Sequence, residues 1–165
     1  MEQKNIAESV EKYRGVVFRV ALGYVKNRYD ADDIAQNVFL KLYNRDEDFP
    51  SEQAEKAWLI RVTVNEAKNL LKSAWFKRRA ELDESLTAPE QSDTGLYEHI
   101  KSLKPKYRTV IYLYYYEEYT AKEIAKILKI PQSTVETQLQ RGRGQLKSII
   151  IKEESNHGTK LQTII

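Results

Sequence analysis

Two rows of side chains in this sequence have types and spacings suited to holding nucleic acid. The first is Trp58, Arg61, Val62, Asn65, Lys68, Asn69 and Lys72, with Phe76 one turn further on. At 100° per residue they fall on one side of a helix, where amides, cations and aromatic rings lie together. Amides hydrogen-bond base edges, cations neutralise phosphate, and rings stack on unpaired bases. The basic run Lys77, Arg78 and Arg79 extends the row. An ordinary solvated face is the competing account, although such a face has little use for large rings beside paired amides. The second row is Ser133, Thr134, Glu136, Thr137, Gln138, Gln140, Arg141 and Arg143. It lacks apolar side chains and carries groups that read base edges and phosphates in a major groove. Arg141 and Arg143 are its strongest contacts, since a guanidinium can grip guanine through two hydrogen bonds or neutralise a phosphate.

Other chemistry finds little support. The 165 residues contain no cysteine, which excludes disulfides, thiolate zinc sites, iron–sulfur clusters and a thiol nucleophile. The two histidines, His99 and His157, have no second histidine or dense carboxylate cluster at ligand spacing, so no metal, cofactor or catalytic dyad is expected. Asp30, Asp32 and Asp33 are clustered, but a helix start explains them more simply than a hydrolase site does. The charged amino terminus has no apolar signal core, and no stretch approaches the ~18 to 20 apolar residues of a membrane span. Neither secretion nor membrane insertion is expected, and the chain reads as cytoplasmic.

The elements that must position these rows are helical. Ile6, Val10, Tyr13, Val17, Val20 and Tyr24 form one stripe of a first helix. Asp30 is expected to cap a second helix ending near Arg45, whose buried face is Ile34, Val38, Phe39, Leu42 and Tyr43. After a polar turn over 46–50, Ser51 is expected to cap a long helix reaching about Trp75. Its core side is Leu59, Ile60, Thr63, Val64, Ala67, Leu70, Leu71 and Ala74. Residues 1–80 carry 15 basic and 12 acidic side chains, 81–96 carry none and five, and 97–165 carry 12 and seven. The acidic strip 81–96, with Pro89, Gly95 and few apolar groups, reads as a flexible linker.

Beyond the linker, Leu96, Ile100 and Leu103 precede a helix from Tyr107 to Tyr116. Its tyrosines also suit a strand, but the flanking helices and the lack of a partner strand favour a helix. Thr120 and Glu123 have capping-box spacing, repeated by Ser133 and Glu136. The first of these helices buries Ile124, Ala125 and Leu128. Lys129, Ile130 and Pro131 make the turn, and the second helix buries Val135, Leu139, Gly142 and Leu146. This is a helix-turn-helix, which presents its second helix to the major groove; plain packing hairpins of this size also exist.

The expected fold class is therefore all-α. Two small helical domains, an N-terminal bundle (1–80) and a C-terminal four-helix domain with a helix-turn-helix (97–152), are joined by the linker 81–96 and followed by a tail, 153–165.

The chain resembles a bacterial sigma factor of the extracytoplasmic-function type. Three motifs carry the likeness: Tyr29 to Phe39, Lys56 to Asn65 with Asn69, and Leu103 to Arg143. The resemblance implies core RNA polymerase, through its β and β′ subunits, as a partner, with Asp33, Gln36 and Phe39 near the contact of helical residues 29–39 with the clamp coiled coil of the largest subunit. It implies that Asn65 and Asn69 hold a flipped base and its neighbours in the −10 promoter element, supported by Trp58 and Lys72. The helix-turn-helix would read the −35 element. Such a protein confers promoter specificity without being an enzyme, binds promoter DNA only with polymerase, and is usually restrained by an anti-sigma factor. Glu136 and Gln138 stand where the family often has basic residues, which weakens the phosphate term. Glu136 either partners Ser133 or accepts from a cytosine amino group. Asn37, where the family often has Glu, removes an acid from the polymerase-facing helix. The alternative is a polymerase-independent helix-turn-helix regulator, in which residues 1–80 dimerise or bind a ligand.

Overall fold

The computed structural model describes residues 5–73, 100 and 102–157. The chain divides into two units, Met1–Pro89 and Glu90–Ile165. Among the described residues there are six helices and no strand. Expectations for Ala74, Trp75, Phe76, the 77–79 basic run, the 81–96 strip and the end of the tail lie outside those residues.

The first unit packs three helices against one another: α1 (Ile6–Val25), α2 (Arg28–Tyr43) and α3 (Glu52–Lys72). Each is amphipathic at a period of 3.6, so its apolar stripe leaves water only by meeting the other two. The shared core is Val17, Val20, Ala21 and Tyr24 of α1, Ile34, Val38 and Leu42 of α2, and Leu59, Ile60, Val64 and Ala67 of α3. Thr63 is also buried and satisfies its hydroxyl by donating to the Leu59 carbonyl at 2.6 Å. Ser51 caps α3 as expected, its Oγ accepting from the Ala54 N–H at 3.1 Å.

Two expectations for α2 are corrected. Asp30 is not its cap: Asn27 is, with Oδ1 accepting from the Asp30 N–H at 2.9 Å and Nδ2 donating to the Asp30 carboxylate at 2.6 Å. Lys26, in the left-handed conformation at φ 61°, turns the chain out of α1 and delivers Asn27 directly to the cap position. Asp30 falls in the first turn instead and is buried. Tyr43 is not buried but 68% exposed. It lies nine residues after Ile34, which at 100° per residue is half a revolution away from the core stripe.

The second unit contains α4 (Pro105–Tyr115), α5 (Ala121–Leu128) and α6 (Gln132–His157). Of the further helix expected ahead of these, Ile100 is described, and it is helical and buried. The tyrosine-rich segment is helical, with Pro105 at the start of α4, where a missing N–H costs nothing. Buried Arg108 donates through Nη1 to the Leu103 carbonyl at 2.6 Å, tying the preceding turn to α4. The Thr120 and Glu123 capping box forms in full: the Glu123 N–H donates to Thr120 Oγ1 at 3.1 Å and the Thr120 N–H to Glu123 Oε1 at 2.9 Å. Donation from Thr120 to the Glu123 carboxylate, from its backbone N–H foremost, holds that carboxyl below the usual carboxylate range. Ile124, Ala125 and Ile127 are buried, whereas Leu128, expected in the core, is half-buried.

The second capping box does not form. The Pro131 carbonyl accepts from the Thr134 N–H at 3.0 Å and the Val135 N–H at 3.2 Å, so α6 already starts at Gln132 and Ser133 lies inside its first turn. Glu136 is therefore one turn in, where Gln132 Nε2 donates to its Oε1 at 3.1 Å. Val135, Leu139, Gly142 and Leu146 form the buried stripe of α6 as expected. Gly142 allows a close approach to α4: a Cβ there would stand 3.1 Å from Ile111 Cγ1. The helix continues past 152, to His157.

Candidate polymerase and nucleic-acid faces

Three outward faces carry the residues singled out from sequence. On α2, Tyr29, Asp33, Gln36, Leu40 and Tyr43 lie within an arc of about 80° and are all exposed. Tyr29 is 76%, Leu40 57% and Tyr43 68% exposed. Phe39 lies to one side of that arc and is half-buried. The face is thus an apolar strip with a carboxylate and an amide set into it.

On α3, Asn65, Lys68, Asn69 and Lys72 are exposed, and Arg61 is half-buried beside them. Their alignment follows from the helical period, and the buried Leu59, Ile60, Val64 and Ala67 hold the opposite side in the core. Among the described residues no side-chain hydrogen bond occupies either asparagine amide. The neighbouring Glu66 carboxylate is paired with Lys41 of α2, which offsets an anion close to the cationic row. Trp58, expected to offer a stacking surface, is half-buried and already engaged. Its ring centroid is 5.6 Å from that of Phe49, and the Arg45 guanidinium lies 4.3 Å from the Phe49 ring and 5.2 Å from the Trp58 ring. Arg45 Nε also donates to the Glu47 carbonyl at 3.1 Å. This cluster fastens the α2–α3 loop to the start of the α3 face.

On α6, Ser133, Glu136, Thr137, Gln140 and Arg141 are exposed, while Thr134, Gln138 and Arg143 are half-buried. The Thr137 hydroxyl donates back to the Ser133 carbonyl at 2.9 Å, leaving its methyl and an oxygen lone pair for a partner. Arg143 is engaged from within: Nε donates to the Tyr115 hydroxyl at 2.7 Å, and its guanidinium lies 5.2 Å from the Tyr114 ring. Arg141 borders an open groove of about 470 Å³ shared with Ser102, Leu103 and Gln145. Among the described residues no cluster of His, Cys, Asp or Glu could hold a metal ion, and no helix is long and apolar enough to cross a membrane.

Comparison with known families separates the chain along the same division. The sigma-70 region 2 profile matches residues 9–77, and the sigma-70 region 4 profile matches residues 95–146. The RNA polymerase sigma factor SigV of Bacillus subtilis is 30% identical, over 83% of this chain and 86% of its own. The chain belongs to the sigma-70 family. The extracytoplasmic-function RNA polymerase sigma factor SigW of the same organism is 28% identical, over 88% of this chain and 89% of its own. The fold agrees with that of the sigma factor RpoE from Bartonella quintana, solved with the anti-sigma factor NepR. The TM-score is 0.69 and the identity 16%, over 89% of this chain and 97% of that one. CnrH, solved with the cytosolic domain of CnrY, gives a TM-score of 0.64 and 21% identity, over 92% and 90% of the two chains.

The chain is thus a sigma factor of the extracytoplasmic-function type, an initiation factor that works with RNA polymerase at specific promoters. A regulator acting without polymerase is not favoured. The sigma factor's α2 and α3 faces both fall within the region 2 match, and its α6 face within the region 4 match. Sequence reasoning missed Tyr29, Leu40 and Tyr43 as surface groups and Phe49 and Arg45 as partners of Trp58. Placing Leu40 and Tyr43 eleven and fourteen residues after Tyr29, three and four turns on, exposes the strip from sequence alone.

Proposed function

We propose that this sigma factor divides initiation among its three faces. The α2 strip of Tyr29, Asp33, Gln36, Leu40 and Tyr43 docks on the β′ subunit of core polymerase. The α3 amides Asn65 and Asn69 capture bases of the separated −10 strand, with Arg61, Lys68 and Lys72 along its phosphates. The exposed row of α6 reads the −35 element in the major groove. Trp58 acts through the loop it holds together with Phe49 and Arg45, and Arg143 steadies α6 from Tyr115. Trapping unstacked bases offsets the few kcal/mol needed to unpair them, so opening requires no nucleotide hydrolysis by this chain.

The observation that carries this reading is the α3 face, where two unengaged amides stand among cations on a helix whose other side is core. An anti-sigma partner is part of the proposal: RpoE and CnrH, which share the fold, were both solved as complexes, with NepR and with the cytosolic domain of CnrY. A cytoplasmic location, beside the polymerase, is part of the same proposal. Run-off transcription with purified core polymerase, combined with permanganate probing of unpaired thymines, tests the assignment. Asn65→Ala should reduce open complexes roughly five- to tenfold while core affinity stays within twofold. Undiminished permanganate reactivity would place the base pocket elsewhere.

A further inference from the structure

Glu136 is an anion on a surface that meets a polyanion. It is exposed on the outward side of α6, one turn from the helix start, between Ser133 and Gln140. The residues three and four positions away on either side are Gln132, Ser133, Leu139 and Gln140, so no cation on its own helix neutralises it. Arg143, on the same flank two turns on, is held by Tyr115. The Glu136 side chain is also oriented: Gln132 Nε2 donates to Oε1, which leaves Oε2 and the remaining lone pairs facing outward. A carboxylate so placed repels phosphate and needs a donor on a base edge.

We infer that Glu136, oriented by Gln132, selects a cytosine in the −35 element by accepting a hydrogen bond from its N4 amino group. The inference rests on the proposed reading of the −35 element by α6. Only two bases present an amino donor in the major groove, cytosine through N4 and adenine through N6. Adenine places its N7 acceptor beside N6, where it repels a second carboxylate oxygen; cytosine has no such acceptor next to N4 on that edge. An amide in place of the carboxylate reverses the preference, because one side-chain amide can donate to N7 and accept from N6 of the same adenine. Gln132 is a positioning residue here, and Glu136 is the reader.

The test is selection of promoters randomised across the −35 element by holoenzyme assembled from core polymerase and the full chain. Wild type should enrich cytosine at one position by about fivefold or more. Glu136→Gln should exchange that cytosine for adenine, Glu136→Ala should accept any base there, and Gln132→Ala should keep cytosine with weaker enrichment. Cytosine enrichment that survives both Glu136→Gln and Glu136→Ala overturns the inference. So does a uniform gain in affinity for every sequence, which would make Glu136 an electrostatic brake. A wild-type selection without any −35 preference refutes the reading of the element by α6, and this inference with it. Helicity of the variants by circular dichroism guards against loss of α6.

Discussion

Leu40→Ala gives the sharpest test of how α2 meets its partner, because the structure distinguishes an apolar strip from an ionic patch. Truncation removes three carbons, each worth about 0.8 kcal/mol when fully buried. The free chain leaves 57% of Leu40 exposed, so docking can bury only that share, about 1.4 kcal/mol, or a tenfold weakening of Kd. Folding should be nearly unaffected, since exposed side chains away from the core contribute within about 0.5 kcal/mol. The assay is equilibrium binding of labelled sigma factor to core polymerase at two salt concentrations. The Leu40→Ala deficit should persist at about 0.5 M salt, where charge effects are largely screened. Asp33→Ala, in contrast, should weaken binding by less than about fivefold, and that loss should shrink as salt rises. A Leu40→Ala affinity within twofold of wild type, or a deficit abolished by salt, would refute the apolar docking strip.

Two further outcomes concern stability. Gly142→Ala and Gly144→Ala gain the same helix propensity, up to about 1 kcal/mol, but only the first would drive a Cβ to 3.1 Å from Ile111, the second meeting open space. Amide hydrogen exchange in α6 should slow in Gly144→Ala and stay level or quicken in Gly142→Ala, where overpacking costs about 1 to 3 kcal/mol; equal protection in both would show that the α4–α6 contact gives way freely. Glu123, whose carboxyl is held below the usual range by Thr120, adds stability that is present above its unfolded pKa and lost as pH falls through the lower folded value. Glu123→Gln can keep the acceptor without the titration. The exchange protection of α5 in wild type relative to that variant should therefore fall as pH drops below the usual carboxylate range, and a pH-independent ratio would contradict this account.

How far the sequence could be read depended on whether a contact was local. The Ser51 cap, the α3 core stripe and the Thr120 capping box rest on residues within a few positions of one another, where spacing alone decides the geometry. Ser133 and Glu136 have the same spacing as Thr120 and Glu123, yet they form no box because Pro131 starts the helix earlier. Asn27 displaced Asp30 as a cap because both have the right chemistry and only the turn at Lys26 chooses between them. Two of the expected recognition residues have partners that the sequence does not reveal. Trp58 is engaged from a loop that reads as merely polar, and Arg143 from Tyr115, 28 positions away. No periodic pattern records such contacts.

The close seating of α4 side chains on the α6 backbone at Gly142 has a consequence for how this protein can change. Ile111 and Tyr107 set the tilt of α6 from beneath, through a seam that includes none of the outward groups. Ser133, Glu136, Thr137, Gln140 and Arg141 form an alphabet written on a fixed rail, so new letters can be substituted without relaying the track.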